Sequence, residues 1–328
     1  MLRVINGGIQ TLIEDWIGRP GYLDQGIGIS GAMDHFAIRA ANLVLGNDLN
    51  EAALEIPFGS FAAEFETETA IAVTGANLNP KLNGNPIPLW EAIRVSKGDT
   101  ISFGRISANT LGCRAYLAIL GGIDVPLFLG SKSTAVYGSF GGYKGRALRE
   151  GDELRLSNPG KNLRNIEGRK CRSDVIPEYD RKWEMRAIPG PNGAPDFFSE
   201  EGMEAFFTEE FKVQTRADRS GIRLTGPKPG WANVKAATGG HPSNIIDHGY
   251  AVPGTLNVSG DTPILLPREG PTSGGYVCAL SVIYADQWIL GQLVPGRDSV
   301  RFTYCTLDEA MQLRKAQNGV FTEESISQ

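Results

Sequence analysis

Several signatures of common cofactor and nucleophile sites are missing from this 328-residue chain. Its four cysteines (Cys113, Cys171, Cys278, Cys305) are widely separated, and no C-x-x-C occurs. That spacing excludes a zinc knuckle or a thioredoxin-type pair. Cys113 and Cys278 sit in apolar, strand-like surroundings and read as buried thiols. No apolar run nears the ~18 residues of a membrane span. The opening MLRVINGGIQ has no long apolar run after Arg3, so no secretory leader is expected and reducing cytoplasm is the default compartment. Positive charge is not in excess: 32 Lys and Arg face 37 Asp and Glu, a net charge of −5. This argues against a general nucleic-acid or anionic-membrane binder, though not against a local basic pocket. There is no G-x-x-x-x-G-K-[ST], and no Gly-x-Gly opens a helix after a strand, so phosphate-loop and dinucleotide readings fall away. None of Ser30, Ser243 and Ser273 lies in G-x-S-x-G, which argues against a hydrolase triad.

Glycine and proline, by contrast, are abundant. The 41 glycines and 19 prolines are spread along the chain, the pattern of many turns between short strands. Hydrophobic content of 41% supports a real core, and a length prior of ~150 residues per domain gives two domains. A strand opens the chain, followed by a Gly-rich loop over 16–31. Asp34 is placed to cap a helix from about 36 to 45, stopped by Gly46-Asn47. Short apolar runs of strand character fill the next hundred residues, with a hairpin signal at Asn83-Gly84. A second Gly-rich loop covers 120–145. Segment 157–177 is polar, basic and poor in core residues, and we place the domain boundary there, giving 1–160 and 161–328. Beyond it, Ser199 is placed to cap a short helix, a further helix is expected around 285–290, and Thr306 is placed to cap a terminal helix over 307–317. VSKGDTISF (95–103) and VPGRDSVRF (294–302) echo one another, each with Asp four residues after Val and Phe at eight. The echo points to two related β domains, of the kind a duplication produces. The fold class is therefore mainly β, with closed or partly closed barrels and a few short helices.

The stretch 241–278, HPSNIIDHGYAVPGTLNVSGDTPILLPREGPTSGGYVC, concentrates polar residues on turns between strands, where sites tend to sit. It holds two of the three histidines. His241 and His248 flank Asp247, but a metal site needs a third ligand, and Pro242 argues against a helical H-x-x-x-H face; no metal is predicted. His241, Asn244 and Asp247 suit hydrogen bonding to a substrate, or bonds that hold the loop. Gly121-Gly122, Gly141-Gly142 and Gly274-Gly275 could offer backbone N–H groups to an anion, or be simple hairpin turns. Arg19, Arg219 and Arg223 lie beside turn residues, where an arginine either grips a carboxylate or pins the loop.

The motifs also carry a family resemblance. GGIQTLIEDWIGRPGYLDQGIGISGAMDHFAIRAANLVLGN, LEIPFGSFAAEF, VTGANL, RAYLAILGGIDVPLFLGSKST and FGGYKGRALREGDEL follow one another in order. Together they resemble the allophanate hydrolase subunit 2 family of carboxyltransferase-domain proteins, which also includes one subunit of bacterial 5-oxoprolinase. IPGPNGAPDFF, RLTGPKPGWA, HPSNIIDHGY, SGDTPILL and EGPTSGGYVC are most similar to the carboxyltransferase region of urea carboxylase. The match runs from about residue 2 to 302. The chain departs from it at NVKAATGG after Trp231-Ala232, at Ile246, and at the Leu266-Pro267-Arg268-Glu269 lead-in, all around the expected pocket.

The resemblance implies two cyclophilin-like β-barrel subdomains and a subunit 1-type partner. It implies a biotin carboxylase that uses ATP, and a biotin carrier domain that delivers carboxybiotin for CO2 transfer to urea or a related amide. The chain holds no Met-Lys-Met tract and no ATP-grasp-sized region, so it is expected to act as one component of an assembly and to be inactive alone. Within this picture His241 and Asp247 are the catalytic candidates, with His241 holding the loop or sharing a proton. Asn244 and Asp247 would bind substrate. Asn is neutral and both donates and accepts, which suits urea. Tyr276, Gly274 and Gly275 would line the biotin or substrate entrance. Arg19 and Asp34, with Tyr22 and Ser30, are further substrate-binding candidates. The competing readings are a component of ATP-dependent 5-oxoprolinase and a non-catalytic partner-binding regulator.

Overall fold

The computed structural model describes residues 1–160, 163, 166–233, 240–245, 252–272 and 274–327. The chain gathers into two units. The first comprises Met1–Pro20, Ile29–Tyr179 and Asn318–Gln328, the second Gly21–Gly28 and Asp180–Gln317.

In the first unit, a six-stranded sheet runs Glu153–Leu154, Leu2–Gly7, Phe61–Phe65, Thr100–Ser102, Lys81–Leu82, Asn85–Pro86. The last two strands form the hairpin that Asn83-Gly84 signals, with both residues at positive φ. A five-stranded sheet runs Leu12–Glu14, Ala53–Pro57, Arg114–Ile119, Thr69–Gly75, Ala92–Val95. Alternate residues of both sheets, among them Val4, Phe61, Phe65, Leu54, Val73 and Leu117, fill one common core. Strand Thr69–Gly75 is buried on both faces because helix His35–Leu45 covers its outer side, where the Thr74 hydroxyl donates to the Ala37 carbonyl at 2.7 Å.

Asp34 caps that helix as its spacing predicts. Its Oδ1 accepts the N–H groups of Phe36 (3.0 Å) and Ala37 (2.8 Å), two of the donors a helix start leaves open. Gly46, in the left-handed region, ends it. Segment 166–179 and the last residues also belong to this unit. Arg169 donates to the Leu43 and Val44 carbonyls at the helix C-terminus. Lys170–Cys171 pairs with Ile326–Ser327.

Arg146 and Asp152 form a two-point ion pair at 2.7 and 2.8 Å, and the Arg149 N–H adds a third bond to the carboxylate. The Arg146 hydrogen bonds, ahead of the opposing effect of burial, hold the Asp152 carboxyl below its ordinary range. A carboxyl whose pKa falls on folding stabilises above its unfolded pKa and loses that contribution as pH drops through its folded pKa. Asp152→Asn is therefore expected to cost about 1.5 kcal/mol at neutral pH, with the gap to the native chain closing below about pH 4. Urea unfolding at pH 7 and pH 3 measures both.

The second unit is a closed seven-stranded barrel in the order Lys182–Pro189, Val277–Val282, Thr255–Ser259, Thr262–Leu265, Ile222–Thr225, Glu210–Ala217, Ser299–Tyr304. Its closing pair, Ser299–Tyr304 on Lys182–Pro189, is parallel. Strand Lys182–Pro189 shows the period of two expected of a wall with one buried face, Trp183, Met185 and Ala187 pointing in. Phe198, Phe206, Phe211 and Phe302 pack in succession at 5.3 to 6.0 Å. Ser199 caps helix Glu200–Thr208 by accepting the Gly202 N–H. The helix expected at 285–290 is a 3₁₀ helix, Tyr284–Gly291.

In both echoed segments the aspartate accepts a backbone N–H, three residues back in one and four in the other. Asp99 accepts the Ser96 N–H at 2.7 Å, and Asp298 accepts the Val294 N–H at 2.8 Å, each closing a turn that enters a strand.

Candidate functional site

Within the second unit, HPSN and the Gly-Gly-Tyr turn come together at the start of barrel strand Val277–Val282. The Val277 N–H donates to the Ser243 carbonyl (3.0 Å) and the Ile245 N–H to the Gly275 carbonyl (2.8 Å). This sets Asn244 opposite Tyr276 in a short antiparallel bridge. Both are exposed, Tyr276 by 44%. Below them, the Asn192 side chain accepts the Cys278 N–H at 2.9 Å, so the IPGPNG motif anchors the same strand. Burial pushes the Cys278 thiol up to about 12, leaving it uncharged at neutral pH and unsuited to nucleophilic attack.

A chain of contacts sits behind Asn244. The Trp231 indole N–H donates to Asp261 at 3.1 Å. Asp261 lies 3.4 Å from His241 Nε2. His241 Nδ1 lies 2.9 Å from the Ser243 hydroxyl and 3.2 Å from the Ser243 backbone nitrogen. That hydroxyl donates to Asn244 Oδ1 at 3.2 Å and accepts the Gly260 N–H at 3.0 Å. Trp231 also stacks on Phe198 at 4.8 Å and meets the His241 ring edge-on.

By residue type this is Ser, His and Asp, but Ser243 is wholly buried and its oxygen already accepts a backbone N–H. It is a clasp, and it has a chemical consequence. With Oδ1 of Asn244 receiving the serine hydroxyl, the NH₂ of this exposed side chain remains as a donor. Ser243→Ala is expected to destabilise by about 1–2 kcal/mol, because Gly260 N–H and Asn244 Oδ1 both lose their partner; urea unfolding checks it.

The sequence-level candidates thus divide. His241, Asn244, Gly274, Gly275 and Tyr276 share one loop cluster. Asp247, His248 and Ser273 lie outside the described residues. Arg19 and Asp34 belong to the first unit and are buried. Arg19 Nη2 donates to the Ser133 carbonyl, its Nε to the Phe128 carbonyl at 3.4 Å, and its guanidinium lies 5.1 Å from the centre of the Phe140 ring. Ser30 is buried and at positive φ. Arg219 pairs with Glu269 at 3.1 Å, both buried, and so pins a loop. Sequence reasoning missed the clasp roles of Trp231, Asp261 and Ser243, although each stands in one of the quoted motifs.

A second polar cluster supports the helix start in the first unit. The Tyr116 hydroxyl donates to Glu55 (2.7 Å) and accepts the Asp34 N–H (2.7 Å). Glu55 also accepts the Met33 N–H (2.8 Å) and lies 3.3 Å from Arg114. Burial, with Glu55 and Asp34 adding to it, pushes the Tyr116 phenol well above its ordinary range. It therefore stays protonated and able to donate. Among the described residues, no group of three or more His, Cys, Asp or Glu is placed to hold a metal ion.

The family model for the carboxyltransferase domain, subdomain A and B, matches residues 25–304. The chain belongs to that family. It is similar to the urea amidolyase of Lachancea kluyveri, 40% identical over 323 residues, covering 96% of this chain and 17% of that protein. It is also similar to a 5-oxoprolinase subunit of Escherichia coli K12, 33% identical over 326 residues, covering 98% of this chain and 97% of that one. The crystal structure of the Kluyveromyces lactis urea carboxylase superposes with a TM-score of 0.91 at 37% identity, over 99% of this chain and 30% of that one. This family member therefore spans about a sixth to a third of the urea amidolyase and urea carboxylase relatives, and nearly the whole of the 5-oxoprolinase relative.

Proposed function

We propose that this chain is the carboxyltransferase component of a biotin-dependent assembly that carboxylates urea or a related amide. The observation that carries the reading is the clasped, exposed Asn244. A neutral amide that presents N–H donors is what the carbonyl oxygen of urea requires, and the Tyr276 hydroxyl beside it both donates and accepts. The same donors suit the carbonyl of biotin's ureido ring, so the residues present fit that group. Biotin, borne by a partner domain and carboxylated by a biotin carboxylase that consumes ATP and bicarbonate, would supply the activated carboxyl.

This chain's own work is then to bind and orient. Asn244 Nδ2 holds the substrate carbonyl. Ser243, His241 and Asp261 keep the amide from rotating. Tyr276 and the Gly274-Gly275 turn line the approach. Positioning and the exclusion of water contribute much of the rate in such transfers. The greater identity to the urea amidolyase than to the 5-oxoprolinase relative supports this choice of substrate.

A second reading is a component of an ATP-dependent 5-oxoprolinase, favoured by the near-complete coverage of that relative. Tagged purification from the native cell separates the two. A copurifying biotinylated chain with a subunit 1-type partner, and turnover of urea with ATP and bicarbonate, is the expected result, with no turnover by the isolated chain. A subunit 1-type partner without any biotinylated protein overturns it in favour of lactam hydrolysis.

A further inference from the structure

The second Gly-rich loop plays no part in the reading above, yet it builds a cleft. Segments 124–128, 139–145 and 153–155 of the first unit enclose about 510 Å³, within the usual range for small-molecule sites. Its two chemistries are distinct. One wall is apolar, with Val125, Pro126, Leu127, Phe128 and Phe140. The Phe128 and Phe140 rings lie 4.6 Å apart, tilted by 32°. The buried Arg19 braces both, through the Phe128 carbonyl and the Phe140 ring. Leu127 is 67% exposed and Phe128 41%, so this wall keeps apolar surface in water, which marks binding surfaces when it is contiguous.

The other wall is the turn 139–145. Gly141, Gly142, Lys144 and Gly145 all have left-handed φ, and at Tyr143-Lys144 a residue of negative φ precedes a left-handed one, the alternation that turns successive N–H groups toward an anion in a nest. The N–H groups of Gly142, Gly145 and Arg146 are used internally. Those of Gly141, Tyr143 and Lys144 find no acceptor among the described residues. The Lys144 ammonium rests 4.9 Å from the centre of the Tyr143 ring and enters no ion pair among them. The turn is set from beneath: a Cβ on Gly141 would collide with the Ser133 carbonyl oxygen, and one on Gly142 with the Thr134 side chain. A nest held in this way needs little reordering on binding.

We propose that this cleft binds a small monocarboxylate with an aromatic or branched aliphatic body. The carboxylate sits against Lys144 and the 141–144 N–H groups, and the body lies on Phe128 and Phe140. In the rest of the lining Asp124 and Glu153 outweigh Arg155, which disfavours a dianion such as a phosphate ester more than a monoanion.

The test uses the purified full chain and calorimetric titration with three probes: 3-phenylpropionate, its neutral amide, and phenyl phosphate. Saturable one-to-one binding of 3-phenylpropionate is expected, with both other probes at least about tenfold weaker. Lys144→Asn, chosen because Asn tolerates left-handed φ, is expected to weaken 3-phenylpropionate about tenfold and leave the amide unchanged. Leu127→Asp, at an exposed position, weakens both. Thermal unfolding confirms that each variant is folded. Lack of saturable binding in the millimolar range overturns the site. Equal affinity for acid and amide overturns the carboxylate assignment, and binding indifferent to both substitutions places the ligand elsewhere. None of these outcomes depends on carboxyl transfer.

Discussion

Asn244→Asp, introduced into the assembled enzyme, is expected to lower kcat/KM for urea by about 10- to 100-fold and to raise it for guanidine. The clasp explains the direction. In the native chain the Ser243 hydroxyl occupies Asn244 Oδ1, so what remains for substrate is the NH₂ donor. Aspartate still receives the serine hydroxyl on one oxygen, but its other oxygen is an anionic acceptor that repels a carbonyl and attracts a guanidinium. A hydrogen bond to a charged group is worth about 1.5–3 kcal/mol, and each 1.4 kcal/mol is about tenfold, which sets the range. An unchanged ranking of urea and guanidine removes Asn244 from the substrate pocket, whatever else the assembly does.

Glu55→Leu is expected to destabilise the first unit by about 3–5 kcal/mol. For a domain of this size that is a fall in Tm on the order of 6–20 °C. The glutamate is 1% exposed and faces Arg114, 7% exposed, at 3.3 Å. It also takes the Met33 N–H and the Tyr116 hydroxyl. Leucine leaves Arg114 buried without this carboxylate and strips two further donors of their acceptor. Removing one partner costs far more than removing both, since it is the uncompensated buried charge that is expensive. Glu55→Leu/Arg114→Met is accordingly expected to regain the part of the loss that comes from the unpaired charge, but not the part from the Met33 N–H and the Tyr116 hydroxyl, which stay without this acceptor. Thermal unfolding of the single and double variants decides it, and a single variant within about 2 °C of the native chain would show that the pair carries no such weight.

Local rules account for much of what was legible. Asp34 before an apolar period of 3.6 announced its helix because a carboxylate two and three residues ahead of free N–H groups satisfies them without help from the rest of the chain. Asn83-Gly84 announced its hairpin because both residues tolerate positive φ. Asn244 and Tyr276 stood out as polar residues on Gly- and Pro-rich turns, and their pairing follows from the strand that Val277 begins. Tyr284–Gly291 illustrates the limit. Its apolar spacing suits a helix, but spacing alone does not separate 3₁₀ from α over eight residues.

Arg19 shows a different limit. Its neighbours in sequence left open whether it grips a ligand or pins a loop. The answer rests on the Phe128 and Ser133 carbonyls, more than a hundred residues away. Trp231, Asp261 and His241 are likewise separated by 10 to 30 positions, and nothing in their spacing indicates that one indole, one carboxylate and one imidazole will fall in line.

Composition, periodicity and turn chemistry were thus enough for the β class, the capped helices, the hairpin and the loops that carry the candidate site, because each depends on residues within a turn or two of one another. Long-range packing alone decided the rest. It brought the 318–328 segment back onto the first unit, buried Glu55 against Arg114, closed the barrel through the parallel pairing of Ser299–Tyr304 with Lys182–Pro189, and oriented the Asn244 amide. In each case the deciding partner is supplied by a distant strand or loop, and the energy that selects it comes from burial and hydrogen bonds that exist only once the chain has folded.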